Sequence, residues 1–452
     1  MEIKESSLYQ DVLEVVQSGV KPVHYSWQAT IHAGETDVAV LKVSSRDTLM
    51  EFDTKYAEEM MLTVELGLGT YAFQVYPNQD KLDITLTRYP IGETGDAVDD
   101  SQVVQSERYT AILVDKGDIK FERNGPNTPS EEALNLTKLV TLEFQMINKT
   151  LEQLRLKTVG LNLRNVLIED AVKAVMTSFS QDIKVDEDQR PKGVSMVKAS
   201  NGNKIPHVVI PHTGIRLPQV PAYLQEHYGI YSAGLGYFYH GGYWHLYPRF
   251  NVERYRDTQN TTTIINVPRN RFMGTERTYK KDGSHLTILA TSEVMLEDRS
   301  TSLQLNAGNG VRFADAKRYM EDFVTVEDNK MVASRARNNS EFMSVERENG
   351  MNNVRFSSKP ITSNAYVEYS KLAERNGAYF SMRWEHSDQS LIVPGMVVKI
   401  LYLDGEEIKT LFGSLVKVHH YDQMAGAGYT NTRYYSHSVL VFFVERSLPD
   451  ET

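Results

Sequence analysis

The sequence predicts a mainly β protein with a small α/β domain, on three observations. The stretch "TYAFQVYPNQDKLDITLTRY" alternates apolar and polar residues on either side of a turn-rich centre, the mark of a half-buried antiparallel sheet. The stretch "YLQEHYGIYSAGLGYFYHGGYWHLYPRF" packs ten aromatic residues and three histidines around a Gly-Gly pair, a two-residue hairpin signal. One clear helical period stands between them, "VLIEDAVKAVMTSF" at 166–179, with Ile168, Ala171, Val172, Val175, Met176 and Phe179 at three-four spacing.

Along the chain, residues 7–17 read as a short amphipathic helix. Ser7 and Gln10 form a capping box, and Leu8, Val12, Val15 and Val16 share a face. Gly19 ends it. Strands follow, with Trp27, Ala29 and Ile31 in phase, then Leu62, Val64 and Leu66. In the expected hairpin at 70–89, Tyr71, Phe73 and Val75 form one face of the first arm. Pro77-Asn78-Gln79-Asp80 makes the turn, and Leu82, Ile84 and Leu86 face inward from the second arm. "LTKLVTLEFQMIN" continues as strand. Asn165 is the expected cap of the 166–179 helix. A shorter helix, "PAYLQEHYG", has Pro221 near its start and Gly229 at its end. After strands at 260–290 comes a polar segment, 298–353, with one candidate helix at "ADAKRYMEDF". The last hundred residues return to strands. "MVVKILYL" meets "IKTLFGSLVKVHH" across Asp404-Gly405, and "SVLVFFVER", apolar on both faces, reads as a central strand or a barrel wall.

If Gly241-Gly242 is the turn, His240 opposes Tyr243, Tyr239 opposes Trp244, Phe238 opposes His245 and Tyr237 opposes Leu246. Leu235, Tyr237, Tyr239, Trp244 and Leu246 then form a core face. Phe238, His240, Tyr243, His245 and Tyr247 form a semi-exposed aromatic face, the candidate interaction face of the molecule. Packing against a neighbouring domain or subunit is the expected use of such a face. Metal binding there lacks a third ligand.

Composition narrows the functional classes. With 452 residues the chain has room for about three domains. A net charge of −10 disfavours broad nucleic-acid or anionic-membrane binding. Absence of cysteine excludes disulfides, Cys-ligated metal and thiol nucleophiles. The N-terminus lacks a signal-peptide core and no run reaches membrane-helix length, so folding in a cytosol is expected. "GLGTYA" matches a loose dinucleotide fingerprint without the helix that chemistry needs. His419 and His420 point to opposite faces of a strand, and His207 and His212 flank a proline-rich loop. Asp99-Asp100 and Glu131-Glu132 read as solvated charge. No catalytic residue, cofactor or metal is expected.

The order of these pieces, together with "VPAYLQEHYGIYSAGLGYFYHGGYWHLYPRF" and "LIVPGMVVKILYLDGEEIKTLFGSLVKVHHYDQ" through "SVLVFFVER", resembles the baseplate hub proteins of contractile-tailed phages. That family includes the T-even hub, the late control protein D group and the hub part of type VI secretion spikes. Pro394-Gly395, Gly413, Val418, His419 and Arg446 match its loose pattern, over roughly two thirds of the chain. The resemblance implies two barrel-like tube domains per chain, near 22–150 and 353–446, forming a pseudo-sixfold ring as a homotrimer. It implies a division into 1–155 (helix and first tube domain), 156–262 (small α/β domain), 263–352 (β segment and polar insertion) and 353–452 (second tube domain). It implies a structural virion protein of the tail baseplate, assembled in the host cytoplasm, that joins the sixfold tail tube to the threefold central spike and lines part of the DNA channel. The implied partners are further copies of itself, tail tube and spike proteins, and tape-measure and baseplate wedge proteins. The other readings are a carbohydrate-binding receptor module, favoured if the Phe238–Tyr247 face is solvent-exposed in the assembled particle, and a virion-associated hydrolase, favoured by a pocket with convergent carboxylates. The ring carries its own condition. The hairpins at 70–89 and 396–419 must belong to separate, superposable sheets, or the ring and the hub assignment fail together.

Overall fold

The computed structural model describes residues 7–17, 24–53, 55–91, 105–115, 138–267, 277–291, 377–404, 407–425 and 433–445, with short pieces at 313–315, 324–327, 330–333, 355–357 and 365–375. Gly19, Asp99-Asp100, Glu131-Glu132, Gly405, Arg446, most of 298–353 and the greater part of "ADAKRYMEDF" lie outside the described residues.

Most strands belong to one sheet. Its first part comprises β1 (His24–Ala33), β2 (Thr36–Ala39), β3 (Lys42–Glu51), β4 (Glu59–Gly67), β5 (Leu82–Ile91), β6 (Gln105–Asp115) and β7 (Leu139–Asn148). Alternate residues of these strands point to one core: Trp27, Ala29 and Ile31 of β1, Leu62, Val64 and Leu66 of β4, Leu82, Ile84 and Leu86 of β5, and Leu142 and Phe144 of β7. Helix α1 (Ser7–Gln17) packs Leu8 and Val15 on Ile265 and Leu289 of the later strands.

The middle of the chain forms a separate small unit. Antiparallel β8 (Thr158–Leu167) and β10 (Lys204–Arg216) pair with one another, and β9 (Gly193–Met196) joins the hairpin of β11 (Leu235–His240) and β12 (Tyr243–Pro248). The α2 helix (Lys149–Leu154) starts on a cap by Asn148, which accepts from the backbone of Thr150 and Leu151. The α3 helix (Ile168–Gln181) buries Ile168, Ala171, Val172, Val175 and Met176. Asn165 does not cap it. The cap position is Leu167, and Asn165 turns the chain at φ 51°. The α4 helix (Val220–His227) ends at Gly229, whose φ of +76° suits glycine. The hairpin register is the one the Gly-Gly turn implies, from Leu235 opposite Pro248 to His240 opposite Tyr243. Gly241 and Gly242 both have positive φ, as a two-residue turn that follows strand twist requires.

The last part holds β13 (Thr261–Asn266), β14 (Tyr279–Asp282), β15 (His285–Ala290), the isolated short strands β16 (Phe313–Asp315), β17 (Val324–Glu327), β18 (Lys330–Ala333) and β19 (Arg355–Ser357), and helix α5 (Ala365–Arg375). It ends with β20 (Gly377–Glu385), β21 (Val397–Asp404), β22 (Glu407–Met424) and β23 (Tyr434–Glu445). As its two apolar faces suggest, β23 lies between β20 and β22.

Two expectations fail here. The two barrel-like tube domains are not present. A single open 14-stranded sheet runs β14-β15-β13-β21-β22-β3-β4-β7-β6-β5-β1-β2, with β23 and β20 attached to β22. The cause is β22, 18 residues long and so about 60 Å in extent. Its first half pairs with β21 and its second half with β3. Its backbone donors and acceptors thus tie the two parts into one ladder instead of leaving each to close on itself. Each part curls. The first brings β1 near β3, where Arg46 lies over the Trp27 ring at 4.6 Å, and the second makes one isolated bridge from Thr291 to Arg383. Neither curl closes with a ladder. The pseudo-sixfold ring falls with the barrels.

The hairpin at 70–89 is also absent as such. Residues 68–78 are helical, and only β5 of the expected pair is a strand. Leu68, Tyr71 and Val75 are buried while Phe73 is 70% exposed. That is a helix's three-four spacing, not a strand face.

Candidate functional site

The inner face of the curled first part is apolar over most of its length and turns charged at one end. In β5 the series Leu82, Ile84, Leu86 continues in phase to Arg88. In β6 the series Leu113, Ala111, Tyr109 continues to Glu107, and in β1 the series Ile31, Ala29, Trp27 continues to Tyr25. Period two therefore delivers polar groups to one place. Here β1 has β5 on one side only, because β2 covers Thr30–Ala33 and no earlier residue. Across the open seam stand Arg46 of β3 and His420 and Asp422 of β22. The hairpin tip, His240 to Gly242, roofs the space. The result is a cavity of about 520 Å³ between the first strands, the small α/β unit and the last strands.

Its walls hold two buried ion pairs. Arg46 Nη1 lies 3.1 Å from Asp422 Oδ2, and Arg88 Nη2 lies 3.0 Å from Asp388 Oδ1. Asp422 also faces His420 Nε2 at 3.2 Å and accepts from Ser436 Oγ at 2.5 Å. Burial alone would raise the Asp422 carboxyl; His420 and Arg46 outweigh it and hold the group well below the carboxylate range. His420 Nδ1 is 2.8 Å from Ser438 Oγ. Arg46 stacks over Trp27 at 4.6 Å and Arg88 over Tyr25 at 3.5 Å, arrangements that suit a planar guanidinium.

Opposite them stand two carboxyl groups, Glu58 ahead of β4 and Glu107 of β6. Glu107 accepts from Tyr109 Oη at 2.6 Å and Gln105 Nε2 at 3.1 Å. Burial, with Glu107 beside it, pushes Glu58 up to about 7, and Arg46 only partly opposes this. Burial and Glu107 likewise raise the Tyr109 hydroxyl. A pair of carboxyl groups in one cavity is the feature expected to favour acid–base chemistry. Neither was singled out from the sequence. The available signal was a charged residue sitting in the apolar phase of a strand, as Arg88 and Glu107 do.

The candidate interaction face is divided by the fold. Phe238 and Tyr247 are buried in the core of the last strands, with Phe238 edge-on to Phe52 at 4.8 Å. The opposite face of the same hairpin, Tyr239, Trp244 and Leu246, is buried in the small unit, where Trp244 Nε1 donates to Ser180 Oγ at 3.0 Å. The hairpin is thus a shared wall between two cores. His240 lines the cavity, His245 Nε2 meets His240 O at 3.3 Å, and Tyr243 is exposed. Burial lowers His240. Burial and His240 together bring His245 down to about 4, so both rings are neutral at pH 7. His419 pairs with Asp47 at 2.7 Å, away from the buried His420. Among the described residues no group of three or more His, Asp or Glu is placed to hold a metal ion.

No known protein-family profile matches the chain, and no curated protein does. Among solved structures, it is similar to the 43 kDa tail protein of prophage MuSo2 from Shewanella oneidensis, at 11% identity and a TM-score of 0.43, over 93% of this chain and 97% of that one. It is similar to a tail protein from Neisseria meningitidis MC58, at 12% identity and a TM-score of 0.42, over the same shares. A third is the E. coli c3393 protein, a type VI secretion component, at 8% identity and a TM-score of 0.38, over 95% and 76%. At these values the likenesses carry no argument, and the function rests on the chain's own residues.

Proposed function

We propose that the chain is a structural component of a phage tail or a related contractile injection assembly, which docks neighbouring subunits and turns over no substrate. One observation carries the docking part. Leu41, Phe73, Tyr76 and Leu139 are exposed near the end of the sheet where β3 and β7 begin and β4 ends, and the exposed Ile112 and Val114 lie farther along, Ile112 opposite Gln145 of β7. Leu41 precedes β3, Phe73 and Tyr76 follow β4, Ile112 and Val114 end β6, and Leu139 begins β7. Apolar side chains gathered in this way mark an interaction surface. The resemblance carried by residues 220–250 and 391–445 narrows the partner to tail proteins.

The finer reading, a homotrimeric hub between tail tube and spike, is conditional on separate superposable sheets and falls with the pseudo-sixfold ring. A place in a virion baseplate assembled in the host cytoplasm rests on that resemblance alone, as does the division at residues 155, 262 and 352. Tyr243 and the accessible edges of His240 and His245 belong to the same proposal as a second contact. The Glu58–Glu107 pair is the observation favouring a hydrolase instead. The test is deletion of the gene in its source, with the particles imaged by negative stain. Missing or incomplete tails are expected; complete tails would remove the reading. Light scattering at rising concentration should show self-association that Phe73→Asp with Val114→Asp abolishes.

A further inference from the structure

We propose that the outer edge of β8 is a docking site for an acidic, extended segment of a partner protein, which adds to the small unit as a further strand beside β8 and β10. Neither the tail assignment nor the apolar end of the large sheet enters into it.

Among the described residues β8 and β10 pair only with one another, so their ribbon has two outer edges, and the fold treats them differently. On β10, Val209 N–H donates to Tyr228 Oη at 2.7 Å, and Val209 O accepts from Tyr223 Oη at 3.1 Å. The two tyrosines occupy the place where another strand would pair. On β8 there is no such cover. Among the described residues, no element other than β10 bonds to its backbone between Thr158 and Arg164.

The register shows which groups are free. Val209 turns its N–H and C=O away from β8, so its pair with Asn162 is of the non-hydrogen-bonded kind. In an antiparallel ladder both members of such a pair point their backbone groups outward. Asn162, and two residues on Arg164 opposite His207, therefore each direct an N–H and a C=O to the open side. Open edges are ordinarily blunted by brevity, lysine or proline. The large sheet follows that rule: its end strands β2 and β14 are four residues long, and β14 carries Lys280 and Lys281. Strand β8 has ten residues and neither lysine nor proline. Asn165, at φ 51°, ends the regular stretch, so the docked strand lies along Val159 to Arg164.

Charge selects the occupant. The chain carries −10 overall, yet β8 and β10 contain Arg164, Lys204 and Arg216 and no Asp or Glu. All three are exposed, and none forms an ion pair among the described residues. A second copy would set the same basic ribbon against itself, whereas an acidic strand is complementary. On the opposite face Leu161 and Leu163 are half-buried against the core of the small unit, and apolar residues of the added strand would cover them. The occupant is thus a segment that alternates apolar and acidic residues, held by main-chain hydrogen bonds with side chains setting the preference.

Labelled peptides alternating valine with glutamate, and valine with lysine, titrated by fluorescence anisotropy against the full chain, test the proposal. The glutamate peptide should bind saturably and more tightly than the lysine peptide, with a gap that narrows as salt rises. Hydrogen exchange should slow at the amides of Asn162 and Arg164 and stay unchanged at Leu161 and Leu163, which face β10. Asn162→Pro removes an N–H that the fold does not use and should weaken binding about tenfold. Arg164→Glu should weaken it about fivefold. A fully N-methylated glutamate peptide should not bind, and that arm needs no variant to fold. No binding of the glutamate peptide, equal or tighter binding of the lysine peptide, binding of the N-methylated peptide, or unchanged exchange at Asn162 and Arg164 would each overturn the proposal. So would self-association in light scattering that Asn162→Pro abolishes, since a second copy would then own the edge.

Discussion

The hairpin from Leu235 to Pro248 and the run from Leu68 to Asn78 both place aromatic residues at alternating positions, yet one is extended and the other helical. In the hairpin, each arm has cores on both sides. Tyr239 and Trp244 pack into the small unit while Phe238 and Tyr247 pack into the last strands. In the run, only Leu68, Tyr71 and Val75 are buried, one stripe at three-four spacing, and Phe73 points away. The difference teaches that alternation over five residues is ambiguous, because positions i and i+4 share a face in both structures. A turn decides it. Gly241 and Gly242 can adopt positive φ and close a hairpin. Pro77 follows a helical residue here and is the second residue of the short 3₁₀ turn Tyr76–Asn78, within the first turn, where its missing N–H costs little.

The largest test of this contrast is Trp244→Ala. It should cost about 3–5 kcal/mol in urea unfolding, as a large-to-small core change, with the Ser180 hydroxyl left unpaired as well. A cost near zero would mean that the hairpin face is inverted. In the helical run, Tyr71→Ala should cost about 3 kcal/mol on the same grounds. Tyr71→Phe should be neutral or stabilising, because the buried Tyr71 hydroxyl has no hydrogen-bond partner. A clear loss in Tyr71→Phe would reveal a partner for that hydroxyl.

Glu58, at the charged end of the sheet's inner face, extends the comparison to pH. Its folded value near 7 lies above its usual 4.5, so the folded chain holds the proton more tightly than the unfolded chain does. Stability should therefore fall as pH rises from about 4.5 to 7 and level off above, by up to about 3.5 kcal/mol at about 1.4 kcal/mol per pKa unit. Glu58→Gln should flatten that slope in melting curves taken across the range. An unchanged slope would place the titrating group elsewhere.

Smaller effects sharpen the turn argument. Gly241→Ala meets no atom within 4 Å, but φ is +59°, so a loss of about 1 kcal/mol is expected from backbone strain alone. The smallest is Phe73→Ser, within about 0.5 kcal/mol for an exposed site. A cost of several kcal/mol at Phe73 would restore the strand reading of 70–89 and undo the contrast.

The small unit was legible because its signals are local. The α3 period, the Pro221 to Gly229 boundaries and the Gly-Gly turn each act within about ten residues, and together they specify Trp244 as core. The cavity was not legible in the same way. Arg46 and Asp422 stand 376 residues apart in the chain, and Arg88 and Asp388 stand 300 apart. Period two could reveal that Arg88 and Glu107 sit in an apolar phase, but not what they would meet there.

From the sequence alone came the β-rich class, the strand phases and the register of the central hairpin, because backbone sterics and alternate burial act between near neighbours. Tertiary structure decided whether two curled regions would close into barrels or share one ladder. That choice turned on β22, whose hydrogen-bonding edge is shared by β21 and β3, and a strand's own residues do not encode which distant edges its backbone will pair with. The same long-range pairing decided that charged residues from β3, β5, β6 and β22 would meet in one cavity.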